Sequence, residues 1–327
     1  MRLWIELSGE HATLPRAEAL AAFEAEGCAI REVTWSSKLL RLEATGPVVR
    51  AAARLGLAHF VCEELARGGF EDLRTFARSY ELGGKTFRTR ARGLGLDVDT
   101  KSVEESLGAD FGRTGHVNLR SPSVDFRVLV ADEFLLGRVI HQVDRSGMEA
   151  RKVTHRSFNL PISLHPKLAR ALVNLSRVPT GGVLLDPFCG TGGVLLEAAR
   201  IDLRPVGADL RRTMVLGARR SLRLLTAEAL FVTADAGRGP WRRGRVDGIA
   251  TDPPYGRAAS TRGEPPLALY ERAFASFDEA LPPKRHVAVV LPSEEAIALG
   301  ADRWDLVERH TMRVHRSLSR TFCVFAT

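Results

Sequence analysis

Asp186-Pro187-Phe188-Cys189-Gly190-Thr191-Gly192-Gly193 follows the apolar run Val183-Leu184-Leu185 and leads into a helix-forming stretch, Gly193 to Arg200. An apolar strand that ends in an acid, turns on glycines and enters a helix opens a strand–helix–strand unit. Glycines let the backbone pass close to a ligand where a Cβ would clash. The helix that follows points its free N–H groups at the same place. The spacing is not G-x-G-x-x-G and no phosphate-loop lysine follows, so a phosphate cradle is disfavoured.

Working outward, three further strands end in an acid: Pro205 to Asp209, Ala229 to Asp235 and Val246 to Asp252. A basic helix, Arg211 to Leu225, lies between the second and third, and His286 to Leu291 reads as a fifth strand. Apolar strands alternating with helices predict a parallel sheet covered on both faces, with ligands at the C-terminal strand edge. One aspartate at a strand end is commonly a helix cap. Four in succession form a cofactor pattern. Asp209 stands about twenty residues beyond the glycine turn, where such folds place an acid for ribose hydroxyls. Asp235 is suited to an adenine amino group. A ribose acid and an adenine acid without a pyrophosphate clamp suit S-adenosylmethionine better than NAD. The expected cofactor-binding residues are Asp186, Phe188, Gly190, Thr191, Gly192, Asp209, Asp235 and Asp252.

Asp252-Pro253-Pro254-Tyr255-Gly256 closes the fourth strand. Two prolines stiffen the backbone and remove two donors, leaving carbonyls as acceptors. With the Asp252 carboxylate they can accept both hydrogens of an –NH2 group, which frees its lone pair to attack an electrophilic methyl. Tyr255 offers a face on which a flipped or single-stranded base stacks. Asp252, Pro253, Pro254 and Tyr255 are therefore the expected catalytic set, acting by alignment and hydrogen bonding rather than through a strong general base.

The rest of the chain carries a different signal. Residues 1–50 read strand, helix, strand, strand: Leu3 to Ile5, Pro15 to Glu26, Ile30 to Trp35 and Leu39 to Ala44. A helix is expected from Val48 to Arg67, a basic strand from Thr86 to Arg92, a helix from Lys101 to Ala109, and strands from Phe126 to Ala131 and Glu133 to Ile140. A polar, basic stretch from Gln142 to Pro161 precedes a helix from Lys167 to Ser176. The His315 to Arg320 segment reads as a hairpin tip, either bordering the active site or solvated.

The 327 residues suffice for two or three domains. No apolar run reaches the roughly 18 residues of a membrane span, and the N-terminus lacks a signal-peptide pattern, so a cytoplasmic protein is expected. Cys28, Cys62, Cys189 and Cys323 show no C-x-x-C spacing. They read as reduced, buried thiols, and no metal site is expected. Net charge is +8, unevenly placed: residues 1–150 hold 20 basic and 22 acidic residues, residues 151–327 hold 27 and 17. A cationic surface of this kind attracts polyanions.

These residues carry a resemblance. Residues 165–327 resemble the Rossmann-fold methyltransferases with a D-P-P-Y motif. The stretches Phe87 to Arg92 and Val117 to Phe126 resemble a THUMP RNA-binding domain, and residues 1–50 are similar to the ferredoxin-like domain that accompanies it. The segment Arg156 to Leu175 is similar to the junction in tRNA guanosine N2-methyltransferases acting at position 10. The resemblance implies an α/β, Rossmann-like S-adenosylmethionine methyltransferase domain (165–327), preceded by ferredoxin-like (1–50) and THUMP (51–145) domains and a linker (146–164). It implies methylation of guanine N2 in tRNA, once or twice, by a chain acting as a monomer, with an activating subunit left open. Arg88, Arg90, Arg92, Arg156 and Arg257 are the expected RNA contacts. The slightly acidic first half departs from this pattern. The alternatives are another tRNA position or ribosomal RNA, a DNA adenine-N6 methyltransferase, and an RNA-binding protein with a relic methyltransferase fold. On the domain reading, removing residues 1–145 leaves a cofactor-binding domain that no longer methylates tRNA.

Overall fold

The computed structural model describes residues 1–152, 163–255, 263–315 and 318–327. In the first part of the chain come β1 (Arg2–Leu7), α1 (Leu14–Ala25), β2 (Ala29–Trp35), β3 (Leu39–Thr45), α2 (Val48–Ala53), β4 (Ala58–Gly68), α3 (Phe70–Ser79), β5 (Thr86–Gly93), α4 (Thr100–Phe111), β6 (His116–Val117), β7 (Val124–Val130), β8 (Phe134–Gln142) and α5 (Arg145–Ala150). The second part adds α6 (Pro166–Leu175), β9 (Val183–Asp186), α7 (Gly193–Ala199), β10 (Arg204–Asp209), α8 (Arg212–Leu224), β11 (Leu230–Thr233), β12 (Gly248–Thr251), α9 (Pro266–Ala280), β13 (His286–Leu291), α10 (Glu294–Ala301), β14 (Asp305–His315) and β15 (Leu318–Ala326). Packing divides them into two compact units, residues 1–9, 29–45 and 58–143, and residues 10–28, 46–57 and 144–327.

The first unit is built on an eight-stranded sheet in the order β2-β3-β1-β4-β8-β7-β5-β6. Strands from residues 1–50 and from residues 51–145 thus share one sheet. Its β5 runs parallel to β6 and β7, and the other pairs are antiparallel. Leu73 and Ala77 of α3 and Val103, Leu107 and Phe111 of α4 pack with Phe87, Phe126 and Val128. Phe111 and Phe126 stack with centroids 4.1 Å apart, a geometry that adds to the area they bury.

One expectation fails here. The segment Val48 to Arg67 is not one helix: α2 stops at Ala53 and β4 begins at Ala58. The reason lies far away in sequence. The Glu18 carboxylate accepts the N–H groups of Gly56 and Leu57, each at 2.7 Å, and takes those donors out of any helical ladder. Gly56 also has no room for a side chain, since a Cβ would lie 2.9 Å from Arg170 Cγ. Strand β4 then fills a central position between β1 and β8, where tertiary pairing overrides local helix preference. Helix α3 was unassigned by pattern. It starts where the Asp72 carboxylate accepts the Gly69 N–H at 2.8 Å, an N-terminal cap of the usual kind.

The second unit holds a seven-stranded sheet in the order β11-β10-β9-β12-β13-β15-β14. The pairs among β11, β10, β9, β12 and β13 are parallel, and β15 is antiparallel to both neighbours. The chain order reverses at β9, with β10 on one side and β12 on the other. Such a switch point opens a crevice at the C-terminal strand ends.

Helices α1 and α2 belong to this second unit. Leu14, Ala17 and Ala21 of α1, with Leu57, share a core with Ala169, Leu172 and Val173 of α6 and with Leu184 of β9. A buried polar network runs through it: Arg54 donates to Glu26 at 2.6 Å, to Asn174 Oδ1 at 3.1 Å and to the Val178 carbonyl at 2.9 Å. Asn174 in turn donates to Glu18 at 2.9 Å. A chain lacking residues 1–145 therefore loses part of its catalytic core, and the expectation that it survives as a cofactor-binding domain is withdrawn. All four cysteines are buried and free. Among the described residues no helix is long and apolar enough to cross a membrane.

Candidate active site

Three of the four strand-end acids meet at the crevice. Asp186 ends β9 and is buried. Its Oδ1 accepts the Thr251 hydroxyl at 2.7 Å and the Phe188 N–H at 3.2 Å. Thr251 ends β12, so one hydrogen bond ties the two central strand ends together. Asp252 follows at once. Its Oδ1 is buried and finds no hydrogen-bond partner among the described residues. A buried carboxylate oxygen without a donor is costly, so this atom points to a ligand donor. Burial pushes the Asp186 and Asp252 carboxyls up to about 7; the charge of Asp252 adds to the shift at Asp186, and Arg320 works against the shift at Asp252. Asp209, at the end of β10, is also pushed up by burial, opposed by the N–H groups of Arg211 and Gly190.

Asp235 behaves differently. It lies two residues past β11 and caps the short 3-10 turn Ala236–Arg238, accepting the Gly237 N–H at 2.9 Å. Arg272 Nη1 sits 3.1 Å from both its oxygens. Against the effect of burial, these partners hold its carboxyl below the usual range. Its lone pairs are thus already engaged by α9 and its own turn.

The glycine turn separates into two roles. Gly190 has φ +50°, and a Cβ there would find nothing nearer than the Phe188 carbonyl at 3.8 Å, so its flank is open. Gly192 has φ +79°, and a Cβ there would meet Leu222 Cδ1 of α8 at 2.8 Å. Gly192 is required for packing, whereas the flank of Gly190 is open. Thr191 is buried and its hydroxyl is 3.1 Å from that of Ser163. Phe188 packs edge-on against Phe277, centroids 6.5 Å apart.

The loop after Asp252 is held from two sides. The Tyr270 hydroxyl of α9 donates to the Pro254 carbonyl at 2.8 Å, so one of the acceptors expected for the substrate is already used. Arg320 of β15 donates through Nε to the Tyr255 hydroxyl, and its guanidinium carbon lies 5.6 Å from the ring centroid. Burial pushes the Tyr255 hydroxyl up to about 12. Pattern reading left open whether the segment around Arg320 borders this loop. The antiparallel return of β15 is what brings Arg320 there.

The arginines expected to grip RNA are largely engaged. Arg88, Arg90 and Arg92 alternate along one face of β5, as the pattern predicts, but each has a carboxylate partner. Arg88 pairs with Asp125 at 2.5 Å, Arg90 with Glu104 at 2.8 Å, and Arg92 with Glu6. Arg156 and Arg257 lie outside the described residues, as does Gly256. By contrast Arg212, Arg219, Arg220 and Arg223 of α8 are exposed and without an ion-pair partner among the described residues. Arg88→Ala should therefore act mainly on stability. It leaves the mostly buried Asp125 with only the longer Arg127 pair at 3.5 Å, and a loss of about 1–3 kcal/mol is expected from a urea titration; unchanged stability with weakened RNA binding would reverse this assignment.

The chain is similar to known methyltransferases. Residues 154–321 match the family model described as RMKL-like, methyltransferase domain. The chain is 34% identical to the tRNA (guanine(10)-N2)-dimethyltransferase of Methanothermobacter thermautotrophicus over 99% of both proteins. It is 30% identical to the Pyrococcus abyssi protein of the same name over 98% of both. The fold is shared with the crystal structure of TrmN from Thermus thermophilus, with a TM-score of 0.54 and 24% identity over the full length of both chains. With its strand-end acids, its D-P-P-Y turn and these full-length matches, the chain belongs to the RMKL-like methyltransferases, in the family of the tRNA (guanine(10)-N2)-dimethyltransferases.

Proposed function

We propose that this methyltransferase modifies N2 of guanosine 10 in tRNA, with S-adenosylmethionine as cofactor. The observation that carries the reading is the buried Oδ1 of Asp252, without a hydrogen-bond partner among the described residues, beside Tyr255 at the switch-point crevice. An exocyclic amino group is the donor that such an oxygen lacks. When bound, S-adenosylmethionine supplies an electrophilic methyl group. The residues fit it: Asp209 suits ribose hydroxyls, and the open flank of Gly190 admits a ligand against the backbone. Asp186, tied to Thr251, sets the spacing of the two strand ends. Because Asp235 is engaged by Arg272, its acceptance of an adenine amino group requires sharing or release of that pair.

Guanine N2 is a weak nucleophile because its lone pair is delocalised into the ring. Asp252 accepts an N2 hydrogen, which favours the geometry in which that lone pair is available, and Tyr255 stacks on the ring to fix its plane. Tyr270 holds the Pro254 carbonyl and so stiffens the loop on which both act. The ionised form of Asp252 accepts with both oxygens and full charge, whereas protonation turns one oxygen into a donor and weakens the acceptor. With the carboxyl pushed up to about 7, activity should be present above that pH and fall as pH drops through it. Initial rates between about pH 5 and 9 check this, and a flat profile down to pH 5 would show that Asp252 need not ionise.

For the rest of the chain we propose a ferredoxin-like and THUMP RNA-binding module that grips tRNA, in a cytoplasmic monomer. The relatives' names, which specify tRNA, support the tRNA grip, whereas the β5 arginines are spent on carboxylates and the positive charge lies in residues 151–327. The test is methylation of an unmodified tRNA transcript with labelled cofactor, followed by nucleoside analysis and mapping. N2-methylated guanosine at position 10 is expected, and the nucleoside count decides between one methyl and two. Label at another guanosine keeps the chemistry and discards the position. Label only in ribosomal RNA or DNA adenine overturns the substrate.

A further inference from the structure

The last strand carries a residue toward the reaction that the motifs do not include. In the β13–β15 pair Leu291 stands opposite Thr321, so the start of β15 returns to the edge where β12 and β13 end. Arg320 sits there. It donates to the Tyr255 hydroxyl, 65 residues away in sequence, with its guanidinium beside the ring. The neighbouring Pro254 is held from the other side by Tyr270. Thus a cation from β15 and a hydroxyl from α9 fix the loop that presents Asp252 and Tyr255.

We propose that Arg320 is a positioning residue for methyl transfer: it sets the angle of the Tyr255 ring on which the base stacks and keeps a fixed positive charge beside Asp252. The proposal rests on the base-amino reading above. Among the described residues, the charged and titratable groups that face Asp252 are Asp186 at the end of β9, Tyr255 on its own loop, Tyr270 on α9 and Arg320 on β15. Asp186 is a like charge and both tyrosines are held neutral by burial. Arg320 is the cation that opposes the burial of Asp252 among the described residues. Without it the carboxylate becomes harder to ionise, and the Tyr255 ring loses the bond that limits its rotation.

The full-length enzyme is assayed on unmodified tRNA transcript as wild type, Arg320→Gln, Arg320→Lys, Tyr255→Phe and the double variant Tyr255→Phe/Arg320→Gln. Initial rates are taken across pH, and cofactor binding is followed by calorimetry. Arg320→Gln is expected to lower kcat about 10- to 100-fold with little change in KM for tRNA. Its acid limb should move up by about one pH unit. Arg320→Lys should keep the wild-type limb while losing part of kcat, because an ammonium retains the charge without the planar fork. The double variant should lose no more kcat than Arg320→Gln alone, because the two side chains act as one unit. An unmoved acid limb in Arg320→Gln with additive losses overturns the proposal, and so does a raised KM at constant kcat, which would make Arg320 an RNA contact. Wild-type enzyme inactive on every tRNA would remove the base-amino reading, and this proposal with it.

Discussion

Asp252→Asn is expected to cut methyl transfer by about 100- to 1,000-fold while leaving cofactor binding within a few-fold of wild type. The magnitude is that of removing one preorganised polar contact from a buried reaction site. Asparagine keeps the size and one carbonyl oxygen, but its NH2 group can face the substrate amino group as a second donor. It also loses the charge that draws the N2 hydrogen. Asp252→Ala should be at least as damaging. Cofactor affinity is the needed control, because Asp252 adjoins Asp186 across the Thr251 bridge. A single-turnover rate with saturating cofactor separates the step from binding. Wild-type rates in either variant would end the assignment of Asp252 as the acceptor. Asp252→Asn also removes the titrating group, so any residual activity should lose the fall below about pH 7.

The second large effect concerns folding. A fragment beginning at residue 146 is expected to be unfolded or aggregated rather than a working cofactor-binding domain. It lacks α1 and α2, whose Leu14, Ala17 and Ala21, with Leu57, belong to the same core as α6 and β9. It also leaves Asn174 without Glu18 and Arg54, its partners in the buried network. The point-mutant form of the same test is Arg54→Ala in the full chain. Arg54 and Glu26 are both almost fully buried and 2.6 Å apart. Removing one member of such a pair typically costs about 3–5 kcal/mol. Arg50 and Thr180 also bond Glu26 and should keep the loss toward the lower end. A cooperative thermal melt and cofactor calorimetry read both variants. A fragment that melts cooperatively and binds cofactor would show that α1 and α2 are appended to the catalytic unit rather than part of it.

Four strands of the catalytic sheet are legible in the amino-acid order. Short apolar runs ending in Asp186, Asp209 and Asp252 recur at the spacing of strand–helix units, and each signal lies within a dozen residues. Period, glycine position and terminal acid are local properties, so β9, β10, β12 and β13 could be placed before any contact was known. The D-P-P-Y turn was legible for the same reason, because its residues are contiguous, although Tyr270 takes one of its expected acceptors and stiffens the loop.

Where the charges are spent is set by contacts in space. The alternation of Arg88, Arg90 and Arg92 is visible in sequence, but their partners Asp125, Glu104 and Glu6 are 37, 14 and 86 residues away. An arginine free to meet phosphate and one neutralised by a carboxylate look the same in one dimension. Likewise, the break after α2 depends on Glu18, 38 residues before Gly56, and no local pattern announces it. Arg320 reaches Tyr255 because a strand pair reverses the chain, and Asp235 is engaged because α9 carries Arg272 to it. Backbone patterns are set by neighbours along the chain, whereas ion pairs and buried hydrogen bonds are set by neighbours in space. The cofactor edge was therefore legible from the sequence, and the support of that edge was not.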